Sequence, residues 1–171
     1  MTAYTGWPDN LSSIGNMAFG GCVFDGQRVW LVPANANAVV RINVTTGVMT
    51  AFNRWPAAVT NVGNNTLRGA AFDGVSLWTG PFNTGALVRV YIDNGNITAY
   101  AWPSALSSLS SQVFNGCLFD GTSIWLIPWF ASAIVRVTVS GTAIVANTYV
   151  NASMGFGNEA FGSGVFDGAS I

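Results

Sequence analysis

A Phe-Asp-Gly tripeptide followed by tryptophan recurs along this chain at a nearly constant interval, and no other feature restricts the fold as much. The copies are Phe24-Asp25-Gly26 with Trp30, Phe72-Asp73-Gly74 with Trp78, and Phe119-Asp120-Gly121 with Trp125, while Phe166-Asp167-Gly168 stands as a fourth. The steps between the aspartates are 48, 47 and 47 residues. Self-similarity at such a period signals stacked supersecondary units, none of which buries a core alone. It also sorts the residues. Those in register describe architecture, and those that break it are candidates for function.

Each unit reads as four short strands. Gly21-Cys22-Val23-Phe24, Gly69-Ala70-Ala71-Phe72 and Gly116-Cys117-Leu118-Phe119 lead into the Asp-Gly turn, whose glycine tolerates positive φ in a tight hairpin. The second strand carries the tryptophan and ends at Pro33, Pro81 or Pro128. A third strand holds Arg41, Arg89 or Arg136, a glycine turn follows at Gly47, Gly95 or Gly141, and the unit closes at Trp55-Pro56 or Trp102-Pro103. β-branched and aromatic runs punctuated by Gly, Pro and Asn indicate an all-β array, and no sustained 3.6-residue period argues for helix. Four strands in about 47 residues is the size of one β-propeller blade. Aromatic columns suit blades that pack face to face, each buried ring contributing about 1.5–3 kcal/mol.

Ala71-Phe72-Asp73-Gly74 with Leu77-Trp78, and Leu118-Phe119-Asp120-Gly121 with Ile124-Trp125, resemble repeats of the YVTN/NHL-type propeller superfamily. Arg41 ahead of Thr46-Gly47 fits the same pattern. The resemblance implies a propeller fold over nearly the whole chain. Its implications for function are broad, because such propellers serve as scaffolds, ligand binders and occasionally lyases. The lyase branch depends on histidine, and this chain has none.

The expected fold class is therefore all-β, a propeller-type array of four-stranded antiparallel blades forming a single domain over residues 1–171. Blades are expected at roughly 18–62, 63–109 and 110–157, with residues 1–17 and 158–171 supplying parts of a fourth. Met1-Thr2-Ala3-Tyr4 aligns with Met49-Thr50-Ala51-Phe52, and Ile171 precedes the position of the next strand's tryptophan. Two expectations follow: a window on a longer chain, or a blade completed by a neighbouring chain.

Composition narrows the function classes. Only 8% of the residues are charged, the net charge is −1, and six arginines are the only basic side chains. No basic footprint for nucleic acid or anionic lipid is present. No apolar run approaches the roughly 18–20 residues that span a bilayer as a helix, so no membrane insertion is expected. The first residues show neither a basic start nor a signal-like apolar stretch, and no targeting segment is expected.

Acid–base catalysis draws mainly on His, Glu, Asp, Lys, Tyr or Cys in a cleft. Histidine and lysine are absent, and Asp25, Asp73, Asp120 and Asp167 all sit in the repeat turns. No catalytic residues, no metal and no cofactor are expected; calcium held by the turn aspartates is the lesser alternative. Cys22 and Cys117 share one repeat column with Ala70 and Gly164, which points to free, buried thiols rather than a disulfide.

The binding candidates break the register. Arg68 stands where other copies carry Gly20, Asn115 and Gly162, which suggests either projection into a central channel or a salt bridge. Arg54 also lies outside the register. The variable loop after the second strand reads Ala34-Asn35-Ala36-Asn37, Phe82-Asn83-Thr84-Gly85 and Trp129-Phe130-Ala131-Ser132. Phe82, Trp129 and Phe130 there either stack on a sugar ring or partner, or cover the adjacent blade. The repeat-locked arginines are expected to pair with neighbouring-blade acceptors or to lie over aromatics.

Asn-X-Ser/Thr acceptor sequences occur at Asn10, Asn43, Asn64, Asn96 and Asn151, a modest excess that favours a glycosylated extracellular or cell-surface protein. The leading expectation is a non-enzymatic structural and interaction module whose partners are other protein chains or copies of itself. A lectin-like propeller binding glycans, and a propeller lyase or hydrolase, are the alternatives.

Overall fold

The computed structural model describes residues 4–102, 114–131, 133–140, 143–149 and 159–171. Twelve strands form three antiparallel sheets of four, with no helix among the described residues. The first sheet contains β1 (Phe19–Phe24), β2 (Arg28–Pro33), β3 (Val39–Asn43) and β4 (Met49–Phe52). The second contains β5 (Leu67–Phe72), β6 (Ser76–Pro81), β7 (Ala86–Tyr91) and β8 (Ile97–Ala101). The third contains β9 (Phe114–Phe119), β10 (Ile124–Pro128), β11 (Ile134–Ser140) and β12 (Ala143–Tyr149). Each sheet is a meander in chain order, the topology of a propeller blade.

Register explains why the motif is so regular. Phe24 pairs with Val29, Phe72 with Leu77 and Phe119 with Ile124, which leaves Asp and Gly at the mouth of each hairpin. The glycines after these aspartates have φ of 98°, 94° and 93°, values that side-chain-bearing residues rarely adopt. The tryptophan then faces the arginine directly across the ladder: Trp30 opposite Arg41, Trp78 opposite Arg89, Trp125 opposite Arg136.

Innermost strands β1, β5 and β9 lie side by side, and glycine permits their approach. A Cβ on Gly21 would sit 2.7 Å from the Cα of Gly69, and one on Gly69 would sit 2.8 Å from the Cα of Gly116. Two apolar cores fill the wedges outside this axis. One joins Trp30, Val32 and Val39 of the first blade to Leu67, Leu77, Val88 and Val90 of the second. The other joins Trp78, Leu87 and Tyr100 of the second to Phe114, Ile124, Leu126 and Val135 of the third. The second blade, covered on both sides, buries every residue of β6.

Flanking segments continue the pattern. Tyr4 packs on Gly47 as Phe52 packs on Gly95, so an outer-strand aromatic of one unit covers the glycine turn of the next. Trp7 stacks on Phe19 at 5.8 Å, and Trp102 packs on Phe114 at the same distance. The Trp-Pro that closes a unit thus caps the first strand of its successor. Residues 159–171 lie along the third blade: Ala160 N–H donates to the Trp129 carbonyl as Thr66 N–H donates to Ala34. Asn115 Nδ2 donates to the Gly162 carbonyl at 3.0 Å.

Cys22 corrects one expectation. Both thiols are free, but Cys22 on β1 is exposed. Cys117 donates to the Trp78 carbonyl at 3.0 Å across the blade interface. Burial pushes its thiol up from 9.0 to about 12, against a smaller opposing effect of the Ala71 backbone.

Candidate functional site at the loop end

The two ends of the blades do different things. At the Asp-Gly end the first three motifs repeat one set of contacts, and the fourth keeps its two backbone bonds. Asp25 Oδ1 accepts from the amides of Gln27 and Arg28 at 2.9 and 2.7 Å, while Oδ2 accepts from Trp30 Nε1 at 2.8 Å. Asp73 does the same with Val75, Ser76 and Trp78, and Asp120 with Thr122, Ser123 and Trp125. Asp167 accepts from Ala169 and Ser170. The carboxylate closes the turn and fixes the indole's orientation, a charge-assisted form of the Asx-turn.

Burial by itself would raise the Asp25 carboxyl, yet the Trp30 indole, the two amides and the Arg28 cation outweigh it and hold it below 3.8. Asp120 is lowered against the same opposition, by Trp125, Ser123, Thr122 and Arg136. At Asp167 the amides of Ser170 and Ala169 lead the lowering. With N–H donors facing both oxygens, the three complete turns present the wrong polarity for a cation. Among the described residues no three metal-ligating side chains come together.

The repeat arginines complete these clusters within their own blade: of the two expected arrangements they lie over aromatics, and the serines that accept from Arg89 and Arg136 belong to the same blade rather than a neighbouring one. Arg89 Nε donates to Ser76 Oγ at 2.9 Å and its guanidinium lies 4.9 Å from the Trp78 ring. Arg136 repeats both contacts with Ser123 and Trp125. Arg41 lies over Trp30 and Phe52, at 5.7 and 5.1 Å. These residues are scaffold.

At the opposite end lie the starts of the innermost strands and the loops after β2, β6 and β10. In the first two blades an asparagine braces this loop: Asn35 Nδ2 donates to the Asn16 carbonyl at 3.1 Å, and Asn83 Nδ2 to the Asn64 carbonyl at 2.9 Å. Sequence reading passed over this brace, although the column Asn35, Asn83, Phe130 carries its signal. In the third blade that column is Phe130, 40% exposed, in edge-to-face contact with half-buried Trp129 at 6.2 Å. The aromatic pair is therefore presented at the loop end.

Phe82 belongs to the same column as Trp129 but is buried, which corrects its reading as an exposed ring. Arg68 covers it, the guanidinium 4.5 Å from the ring centroid. Of the two contacts expected for Arg68, the salt bridge is not the one it makes among the described residues. Its side chain runs toward Gly20 of the first blade. Its Nη2 donates to Asn65 Oδ1 at 3.2 Å, and Asn65, held at φ 48°, takes an Asn35 Oδ1 on its own amide at 3.0 Å. Desolvation lowers the Arg68 guanidinium from its ordinary value. Arg54 stands apart, exposed beside an outer groove of about 670 Å³ shared with Asn10, Asn94 and Asn96.

Among the glycosylation candidates, Asn10, Asn64 and Asn96 are exposed. Asn43 is half-buried and accepts from the amides of Thr45 and Thr46. Asn151 lies outside the described residues.

No family model matches the chain, and no curated protein sequence matches it. Solved structures do. Hydrazine synthase of Kuenenia stuttgartiensis is similar over 86% of this chain and 40% of its own, at 12% identity and a TM-score of 0.59. The WD40 repeats of RRP9 are similar over 83% and 41%, at 12% identity and a TM-score of 0.59. Glutaminyl cyclase of Myxococcus xanthus is similar over 77% and 50%, at 14% identity and a TM-score of 0.52. This chain spans half or less of each of those chains. The likeness establishes the fold: a β-propeller arrangement of four-stranded blades.

Proposed function

We propose that the chain is a non-enzymatic interaction module that engages another protein, or a copy of itself, through the loop end of its blades. The observation that carries this reading is exposed Phe130, which replaces the bracing asparagine of the other two blades and packs edge-to-face on half-buried Trp129. Aromatic side chains at the centre of a patch supply most of the energy of a typical protein contact. The residues that could have done chemistry are instead spent on the fold, since the turn aspartates hold amides and indoles.

We further place the module outside the cell or at its surface, with N-linked glycans on exposed Asn10, Asn64 and Asn96. Treating native material with an N-glycosidase gives a mass decrease on this reading. An unchanged mass removes the glycoprotein assignment.

The test of the main reading is a comparison of three immobilised chains in extract of the source cells. Proteins retained by the wild type are expected to be lost from the Trp129→Ala/Phe130→Ala double variant. They persist with Val44→Ser, an exposed residue at the opposite end. Identical retention by all three removes the loop end from the contact. A glycan array supplies the competing outcome: sugar binding lost in the double variant replaces the protein-contact reading with a lectin.

A further inference from the structure

We propose that the wedge between the second and third blades holds, at its Asp-Gly end, a binding site for an arginine side chain of a partner protein. The inference rests on the interaction reading above and adds a contact at the end of the blades opposite the loop end.

The template for this site lies in the neighbouring wedge. Three residues after the turn aspartate the repeats carry Arg28, Ser76, Ser123 and Ser170. Arg28 spans the first wedge: its Nη1 donates to the Ile92 carbonyl of the second blade at 3.1 Å and lies 3.7 Å from Asp25 Oδ2. The Asp25 side chain is thereby covered, with 2% of its surface exposed. The groove left in that wedge, lined by Asp25, Phe72 and Ile92, has Arg28 in its wall.

In the second wedge the same column holds Ser76, which is too short to make that span. It is buried and accepts from Arg89 Nε at 2.9 Å. A pocket of about 340 Å³ opens there, lined by Asp73, Trp78, Arg89, Phe119 and Val139 among others. Three of these repeat the first wedge: Asp73 stands in the column of Asp25, Phe119 in that of Phe72, and Val139 in that of Ile92. The Asp73 side chain is 16% exposed where that of Asp25 is covered, so it is open to an incoming cation. A carboxylate beside aromatic rings suits a guanidinium, which bonds along its edge and packs by its face. Arg89, 3.8 Å from Asp73 Oδ2, leaves room for a second cation. The first wedge sets the precedent, because Arg28 and Arg41 there share the single carboxylate of Asp25.

The test follows the tryptophan Nε1–H resonances of the full ¹⁵N-labelled chain during titration with N-acetylarginine amide, with N-acetyllysine amide as the second arm at matched ionic strength. Trp78 Nε1 donates to Asp73 Oδ2 and Trp30 Nε1 to Asp25 Oδ2, so each indole reports its own wedge. Trp78 is expected to shift saturably with the arginine derivative while Trp30 shows only linear drift. The lysine derivative is expected to saturate about tenfold more weakly. Ser76→Arg should abolish the Trp78 response by filling the pocket from within, and Arg28→Ser should give Trp30 a saturable response of its own. Parallel drift of the two indoles in the wild type overturns the site, and equal saturation by the lysine derivative overturns the guanidinium assignment. Immobilised Ser76→Arg separates this site from the loop end. If it retains proteins as the wild type does while Trp129→Ala/Phe130→Ala loses them, the partner contact proposed here falls alone; the reverse pattern removes the loop end alone.

Discussion

Asp25, Asp73 and Asp120 each hold two amides and an indole, so removing one strands three donors. Asp73→Ala in the central blade is expected to destabilise the fold by about 2–4 kcal/mol, read from urea unfolding. A loss below about 1 kcal/mol would show that water replaces the carboxylate freely. The sign with pH follows from the lowered carboxyls of Asp25 and Asp120. Their folded values lie below the ordinary 3.8, so their stabilisation is complete above that pH and is lost as pH falls through the lowered values. Unfolding midpoints of Asp25→Asn/Asp120→Asn should therefore depend less on pH below about 4 than those of the wild type. The turn itself was legible because its backbone partners lie two and three residues downstream. The indole as the aspartate's third partner was not, since that contact depends on the ring's direction across the ladder.

Between elements, the decisive contacts are those of the inner strands. Gly69 combines a φ of 57° with a neighbour 2.8 Å from any added Cβ, whereas Gly26 has a positive φ and open space. Gly26→Ala is expected to lose about 1 kcal/mol from backbone strain alone. Gly69→Ala carries the same strain and must also push β5 from β9, so its unfolding midpoint should fall much further. Equal losses in the two variants would mean that the blades do not meet through this column. The Trp-Pro ending is also an inter-element device: Trp7 and Trp102 each cap the first strand of the following unit. Sequence reading located the dipeptide as a boundary, but its stacking partner lies in the next repeat, beyond any local pattern.

Across the whole molecule, burial depends on which blade faces have neighbours. Cys22 and Cys117 occupy one repeat column, yet Cys22 is exposed and Cys117 donates across an interface. A thiol reagent should modify Cys22 in the folded protein within minutes and reach Cys117 only on unfolding. Fast modification of both, followed by mass spectrometry, would show that the second and third blades separate readily. The Cys117 thiol also predicts an alkaline response. Its folded value of about 12 exceeds the ordinary 9.0, so the native state keeps a proton that the unfolded chain gives up. Stability contributed by this group is full below pH 9.0 and falls as pH rises toward 12. Cys117→Ala should flatten that decline relative to wild type.

The repeat period settled strand order, turn positions and the all-β class before any coordinates, because hairpins are made by residues close in sequence and recur wherever the motif recurs. What it left open was set by neighbours distant along the chain. Phe82 looked like a surface ring until Arg68, 14 residues away, was seen lying over it, and the asparagine brace surfaced only when two loops were placed together. Identical columns acquire different surroundings when blades stack in a row, since solvent reaches a face only where no sheet covers it. Architecture was therefore readable from local spacing, while the candidate site emerged from packing between blades.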